Sequence, residues 1–247
     1  MIRLHINVDH VATVRNARGT SYPDPLDAAR ACLDAGADGI TAHLREDRRH
    51  ITDDDVKRLR AMLRATFNLE MAATPEMVDI ALATKPDVVT LVPERRQERT
   101  TEGGLAVAGA GDDLRRHVDA LRAADIKVSL FIAPDVAEVE ASHALGVEQI
   151  ELHTGEYAHA FARGAGGDDS KRELSRLSAS ADKGKALGLE VAAGHGLTRA
   201  NVVALVAIEP IVELNIGHAI IADALMMSMS GAVRAMSEAI AKGRPGT

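Results

Sequence analysis

The stretch that decides the fold is GITAHLREDRRHITDDDVKRLRAMLRATFNLEMA, residues 39–72. It opens with a short apolar run at Gly39–His43, passes into a helical pattern over Asp53–Arg64, and closes with a second apolar run at Asn68–Ala72. Two short apolar runs joined by an amphipathic helix are typical of a β-α-β unit with parallel strands. Thr52, followed three residues later by Asp55, forms a capping arrangement that marks the start of the helix.

The same alternation continues in both directions along the chain. Strands are predicted at Leu4–Val8, Gly39–His43, Asn68–Ala72, Val88–Val92, Val128–Ile132, Gln149–His153, Glu190–Ala193 and Val212–Ile216. Helices are predicted at Pro25–Ala35, Asp53–Arg64, Pro75–Leu82, Asp112–Ala124, Ala137–Leu145, Lys171–Leu187, Asn201–Val206 and, after the last strand, roughly Asp223–Ala241. Eight such units without hairpin signals favour the α/β class and a closed, eight-stranded parallel (β/α)8 TIM barrel, which commonly takes ~250 residues.

The organisation of the chain predicts a single TIM-barrel domain over residues 1–247. No linker or low-complexity tract interrupts the sequence, and no G-x-G-x-x-G motif supports a dinucleotide fold. Two stretches, Pro93–Gly111 and Gly155–Asp169, are long for barrel connections and are predicted as loops. Long loops in compact domains are often functional lids.

Composition and charge restrict the class of protein. The net charge is −7, and aromatic residues make up 2% of the chain, so neither bulk attraction to nucleic acid nor base stacking is expected. Cys32 is the single cysteine, which fits a reducing compartment. No apolar run is long enough to span a bilayer. These features predict a cytoplasmic protein without nucleic-acid or membrane partners.

Polar residues gather where the predicted strands end. They are Asn7-Val8-Asp9-His10, His43-Leu44-Arg45, Glu70, Glu151 with His153, Gly194-His195-Gly196 and Asn215-Ile216-Gly217-His218. In a barrel of this type the chemistry sits at the carboxyl ends of the strands. Glu70 is the sharpest single candidate, because alternation points it away from the face of Leu69 and Met71 and therefore into the barrel. The joint pattern predicts an active site at one rim.

The residue types favour acid–base chemistry on phosphorylated substrates. Glu70 and several histidines provide acids and bases that work near neutral pH. Arg18, Arg45 and His50 are cationic donors for phosphate. Glycine-flanked backbone after the seventh and eighth strands matches the frequent phosphate site of barrels. None of the seven lysines falls at the carboxyl end of a predicted strand, which disfavours a lysine Schiff-base aldolase. No metal motif is present, although ligands from separate strands remain conceivable.

At these residues the sequence closely resembles the pyridoxine 5'-phosphate synthase family along nearly the whole chain. The stretches that carry the resemblance include Asn7–His10, Arg15–Thr20, His43–Ile51, Asn68–Ala72, Val92–Glu94, Thr100–Gly104, Glu151–Gly155, Ala193–Leu197 and Glu213–His218. The segment after Gly155 departs from the family and runs a little longer. Long motifs in the right order make the resemblance specific.

The resemblance implies a transferase of pyridoxine (vitamin B6) biosynthesis. The family condenses 1-deoxy-D-xylulose 5-phosphate with 3-amino-2-oxopropyl phosphate to give pyridoxine 5'-phosphate, phosphate and water, without metal or organic cofactor. It also implies a homo-octamer built from dimers, and the polar segment 93–104 would be a closing lid.

The family's motifs also imply a role for each matching residue. His43 and Glu70 would be proton acceptors, His195 the proton donor, and Glu151 would stabilise a transition state. The deoxyxylulose phosphate would be held by Asp9, His10, Arg45, His50 and Thr100. The amino-ketone phosphate would be held by Asn7, Arg18, Gly196, Gly217 and His218.

Three other functions remain open at the level of sequence. A cofactor-free phosphosugar isomerase or epimerase needs similar acids and bases but one anion site, whereas two are expected here: Arg45 with His50, and Arg18 with Gly217-His218. A metal-dependent hydrolase could use the rim histidines and acids. A catalytically dead barrel could survive as a ligand-binding protein, although the presence of His43, Glu70 and His195 argues against it.

Overall fold

The computed structural model describes residues 2–94 and 103–245. Eight parallel strands close into a barrel in chain order, with the first strand paired to the last. The strands are β1 (Arg3–Asn7), β2 (Gly39–His43), β3 (Thr66–Met71), β4 (Val88–Leu91), β5 (Lys127–Ile132), β6 (Gln149–His153), β7 (Glu190–Gly194) and β8 (Ile211–Ile216). Each lies within two residues of its predicted position, and the (β/α)8 TIM barrel is confirmed.

Helices surround the barrel. They are α1 (Asp9–Arg18), α2 (Pro25–Asp34), α3 (Asp53–Met62), α4 (Pro75–Thr84), α5 (Asp112–Ala123), α6 (Val136–Leu145), α7 (Gly155–Arg163), α8 (Asp168–Ala186), α9 (Val202–Leu205), α10 (His218–Met227) and α11 (Met229–Gly243). The predicted cap of α3 is confirmed, since Thr52 accepts a bond from the Asp55 amide and Asp55 accepts one from the Thr52 amide. Across residues 2–94 and 103–245, every helix is too short or too polar to span a bilayer.

Three expectations about helices were wrong. Asp9–Arg18 forms α1, where none was predicted, and Gly155–Asp169 contains α7 rather than a loop. The single helix expected near Asp223–Ala241 is two helices, because Ser228 turns the chain with φ +69° and caps the second helix by accepting a bond from the Gly231 amide. Met226, near the end of α10, is 87% exposed and therefore lies outside the core.

The strands carry buried apolar residues on their outer face and polar residues on their inner face. Bonds between strands that are not neighbours must cross the barrel interior. Thr41 on β2 donates to Asn215 on β8 at 2.8 Å, and Asn215 donates to Glu151 on β6 at 2.9 Å. Barrel interiors are usually filled by branched apolar side chains. Here a polar interior leads directly to the floor of the candidate site.

Candidate active site

A cavity of about 510 Å³ opens at the carboxyl ends of the strands. This volume lies within the usual range for small-molecule sites. Of the fourteen residues predicted for the site, the structure places eleven around the cavity: Asn7, Asp9, His10, His43, Arg45, Glu70, Glu151, His195, Gly196, Gly217 and His218. Parallel strands end at one rim, so residues as far apart in the chain as Asn7 and His218 converge there.

Three predicted residues are not placed at the cavity wall. Arg18 is exposed at the end of α1 and does not line the cavity of its own chain. His50 lies just behind the wall, its ring centroid 6.0 Å from that of His43. Thr100, with residues 95–102 of the expected lid, lies outside the described residues.

Glu70 and His43 form the centre of the cavity floor. The Glu70 Oε2 atom lies 3.9 Å from His43 Nδ1, and the Asn7 amide donates to both Glu70, at 3.3 Å, and Asp9, at 2.9 Å. The second oxygen of Asp9 accepts the backbone N–H of His43 at 2.8 Å. Two candidate bases on adjacent strands are therefore held close together by their neighbours.

Burial and neighbouring charges raise the pKa values of both members of this pair. Burial raises the pKa of Glu70 to about 7, and the Asp9 carboxylate adds to the rise while His43 and Asn7 oppose it. Burial alone would lower the pKa of His43, but the carboxylates of Glu94, Glu70 and Asp9 outweigh burial and raise it. Groups that titrate near the working pH are the effective general acids and bases.

Glu151 is the second buried carboxyl, and its environment differs from that of Glu70. Burial, the charge of Glu70 and the charge of Glu213 raise the pKa of Glu151 well above its ordinary value. A side chain on Gly194 would meet the Glu151 Oε1 atom at 2.2 Å, so only glycine leaves room for this carboxyl. Glu151 therefore holds its proton more strongly than an ordinary carboxyl, which suits it to donate a hydrogen bond into the cavity.

The wall that follows β8 provides donors for anions. The N-terminus of α10, at Gly217 and His218, borders the cavity, and free N–H groups at a helix start favour phosphate. The rings of His10 and His218 lie 5.0 Å apart, and burial together with His218 lowers the pKa of His10. On the adjoining wall His195 adopts φ +82°, a strained conformation fixed by the Thr154 hydroxyl, which donates to the His195 carbonyl at 2.6 Å.

Arg45 supplies the fixed positive charge. It is the one lysine or arginine that lines the cavity among residues 2–94 and 103–245. Its guanidinium lies 3.4 Å from Asp47 and 3.6 Å from Glu94. No described lysine lines the cavity.

The structure adds four residues that the predicted set omitted. Asn215, His153 and Phe131 line the cavity, and Glu94 contacts two of the predicted residues. Asn215 and His153 occupy strand ends, so the signal that found their neighbours was available for both. Phe131 and Glu94 carry no such signal, because an aromatic residue in a strand and an acid after one are ordinary sequence features.

Asp9, His43 and Glu70 are the described residues that could hold a metal ion. Their donor atoms lie within 4.8 Å of one another. The same carboxylates already accept hydrogen bonds from Asn7 and from the His43 backbone. These hydrogen bonds explain why the three side chains lie close together in an acid–base centre. We therefore assign none of them as a metal ligand.

Fold and site together define the class: a (β/α)8-barrel enzyme with general acid–base groups beside anion donors. Comparison with known proteins specifies the family. The profile of the pyridoxal phosphate biosynthesis protein PdxJ family matches residues 4–242, and the chain belongs to this family. A pyridoxine 5'-phosphate synthase of Syntrophotalea carbinolica is 52% identical over 97% of this chain and 99% of its own. Another, from Cereibacter sphaeroides, is 53% identical over 95% of this chain and 93% of its own.

Solved structures with the same fold are much more distant in sequence. The thiamine phosphate pyrophosphorylase of Pyrococcus furiosus superposes with a TM-score of 0.63 at 16% identity, covering 98% of this chain and 97% of its own. The phosphoribosyl anthranilate isomerase of Thermus thermophilus gives 0.59 at 14% identity, covering 98% and 100%. At such identities the similarity concerns the barrel alone.

Proposed function

We propose that the protein condenses 1-deoxy-D-xylulose 5-phosphate with 3-amino-2-oxopropyl phosphate, giving pyridoxine 5'-phosphate, inorganic phosphate and water. The observation that carries the proposal is the match over nearly the full length to proteins named pyridoxine 5'-phosphate synthase. The cavity supports it with two candidate bases, a buried carboxyl of raised pKa and donors for anions on two walls.

The chemistry begins without a covalent bond to the enzyme. The amine of the amino ketone attacks the ketone of the sugar phosphate, and loss of water leaves an imine between the two substrates. Ring formation then needs proton removals beside carbonyl or imine carbons, loss of phosphate, loss of a second water and an aldol-type closure. One base cannot reach every face of such an intermediate, whereas His43, Glu70 and His195 act from three strand ends.

Each residue is proposed in the role that its surroundings suit. His43 and Glu70 accept protons, His195 donates one, and Glu151, whose pKa is raised by burial, stabilises developing negative charge by a hydrogen bond. Asp9, His10, Arg45, His50 and Thr100 hold the sugar phosphate. Asn7, Arg18, Gly196, Gly217 and His218 hold the amino-ketone phosphate. No metal or organic cofactor takes part, and closure of segment 93–104 would keep water from the imine.

We further propose that residues 1–247 act as one domain in the cytoplasm, as a homo-octamer built from dimers, with small-molecule phosphates as ligands. The exposed apolar side chains of Val14, Tyr22 and Leu225 border one groove and supply a surface for such a contact. Arg18 ends the helix that carries Val14. Assembly through this groove would therefore bring Arg18 into a subunit interface rather than leave it in solvent.

The test is incubation of purified, EDTA-treated protein with both phosphates, following the product by absorbance and mass spectrometry. Pyridoxine 5'-phosphate should appear only when both substrates are present, and chelation should not reduce the rate. Incubations with each phosphate alone serve as controls. Isomerised sugar phosphate without amine would indicate the isomerase alternative, loss of activity on chelation would indicate a metal enzyme, and binding without turnover would indicate a dead barrel.

A further inference from the structure

Glu94 lies at the edge of the cavity, three residues after β4, and the proposed mechanism gives it no role. Its side chain is 3% exposed. One carboxylate oxygen lies 2.9 Å from His43 Nε2. The other accepts the backbone N–H of Glu46 at 3.1 Å and lies 3.6 Å from the Arg45 guanidinium. A buried acid thus contacts the candidate base and the candidate phosphate-binding arginine together.

The contact with Glu94 decides which nitrogen of His43 carries the proton. Although burial works in the opposite direction, the hydrogen bond and charge of His43, with the Glu46 amide and Arg45, lower the pKa of Glu94. An ionised carboxylate can only accept a hydrogen bond, so His43 Nε2 is the N–H donor. The nitrogen left to exchange protons is Nδ1, and Nδ1 is the atom that lies 3.9 Å from Glu70.

We propose that Glu94 is a positioning residue, which holds a proton on His43 Nε2 and thereby makes Nδ1 the proton-accepting atom beside Glu70. The arrangement follows the same physical logic as other carboxylate–histidine pairs, in which the carboxylate fixes the tautomer and stabilises the imidazolium. This inference rests on the proposed function of the cavity and adds to it the reacting atom and the group that orients it.

A second consequence concerns substrate binding. The Arg45 guanidinium is flanked by the anionic Glu94 and Asp47. A phosphate bound at Arg45 would meet the negative charge of Glu94, which opposes its binding. Removing that charge should therefore weaken catalysis without weakening the binding of the sugar phosphate. A role of Glu94 limited to packing would instead disturb both.

The test is the Glu94→Gln variant, which keeps an acceptor for Nε2–H but loses the charge. We expect kcat to fall about tenfold or more, as for a disturbed general base, and KM for 1-deoxy-D-xylulose 5-phosphate to stay the same or fall.

The charged groups that face His43 are Glu94, Glu70 and Asp9, with Arg45 and His50 nearby. Because Glu94 raises the pKa of His43, its loss should move the acid limb of the kcat profile to lower pH.

Two further variants separate the possible results. Glu94→Asp keeps the charge one methylene farther away, so its acid limb should stay close to that of the unaltered enzyme and its kcat should exceed that of Glu94→Gln. Glu140→Gln, an exposed site on α6 paired with Lys183, is the matched control and should change nothing. An unchanged kcat and acid limb in Glu94→Gln, or a raised KM with normal kcat, would overturn the inference while leaving the proposed function intact. Absence of product with the unaltered enzyme would overturn both.

Discussion

Two buried carboxyls in one cavity have their pKa values raised by different neighbours. Glu70 has a histidine at 3.9 Å and an amide donor, so burial raises its pKa only to about 7. Glu151 is 2% exposed, with two other carboxyls acting on it, and its pKa is raised well above the ordinary value. Pairs of acids whose environments separate their pKa values commonly divide the roles of base and acid. In this cavity Glu70 is the group whose charge changes near neutral pH.

Glu70→Gln should fold normally and lose about 10²-fold or more in kcat, because glutamine fills the same space but cannot take up a proton. A base works only when deprotonated, so activity of the unaltered enzyme should fall as the pH drops through about 7, the pKa to which burial raises Glu70. That limb belongs to the Glu70–His43 pair, since the two groups interact. Rates measured from pH 5 to 9 check both statements. Near-parental turnover by Glu70→Gln, with Glu156→Gln as the surface control, would refute the assignment of Glu70 as a base.

At the scale of the residue, the sequence predicts those site residues that stand out by apolar–polar alternation or by their position at the end of a strand. Glu70 could be placed inside the barrel because its neighbours Leu69 and Met71 are apolar. Glu94 could not, since its significance arises from a 2.9 Å contact with a residue on another strand. Arg18 is the opposite case, because its motif predicts a site residue but the structure places it outside the cavity of its own chain. Its position depends on where α1 ends, which the motif does not specify.

At the scale of the element, strands were predicted better than the helices that follow them directly. Strands β1–β8 have continuous apolar outer faces, and each lies within two residues of its expected range. Helix α1 lacks a clear apolar periodicity in the sequence, because its buried face includes the polar Asp9 and Arg15 beside Val11 and Ala12. Helix α7 starts without a side-chain cap at Thr154, since that hydroxyl bonds to the carbonyls of Gly194 and His195 instead. Tertiary contacts thus replaced the local signals on which prediction depends.

The Arg15–Asp55 pair shows what such buried polar contacts contribute to stability. The Arg15 guanidinium binds both oxygens of Asp55, at 2.7 and 2.8 Å, and joins α1 to the start of α3. Arg15→Met should lower the free energy of unfolding by about 3 kcal/mol, because it leaves the carboxylate of Asp55, 1% exposed, without its main partner. Urea denaturation at fixed protein concentration measures the change. The control, Arg30→Met at an exposed pair with Asp27, should cost less than about 0.5 kcal/mol. If Arg15→Met lowered the free energy of unfolding by less than about 1 kcal/mol, the hydrogen bonds from Thr52 would be sufficient to stabilise the buried carboxylate of Asp55.

At the scale of the whole molecule, the sequence predicts the architecture and the rim of the site, and misses the polar interior of the barrel. The alternation His5-Ile6-Asn7, Asn68-Leu69-Glu70 and Glu213-Leu214-Asn215 is visible in the sequence, but its meaning depends on which face is enclosed. Closure of the sheet supplies that information, because hydrogen bonds such as Thr41 to Asn215 then cross the barrel. The polar interior holds Glu151 in place beneath the cavity.

The surface of the molecule carries the last prediction, on assembly. Leu225 is 79% and Tyr22 80% exposed, and both border one apolar groove between α1, α2 and α10. Exposed apolar side chains grouped in this way mark contact surfaces, and burying one leucine stabilises an interface by about 1.5–3 kcal/mol. Leu225→Asp should therefore raise the dissociation constant of the assembly at least about tenfold, because it removes this contribution and places a charge in the contact.

The measurement is molar mass by light scattering across a dilution series. Val136→Asp, the same type of change at an exposed valine on α6, is the matched control and should leave the mass unaltered. The proposed neighbourhood of Arg18 adds a second readout. If assembly through this groove positions Arg18, dissociated Leu225→Asp should also show a raised KM for 3-amino-2-oxopropyl phosphate. An unchanged mass in Leu225→Asp would exclude this groove as a subunit contact, and a lowered mass with unchanged KM would separate Arg18 from substrate binding.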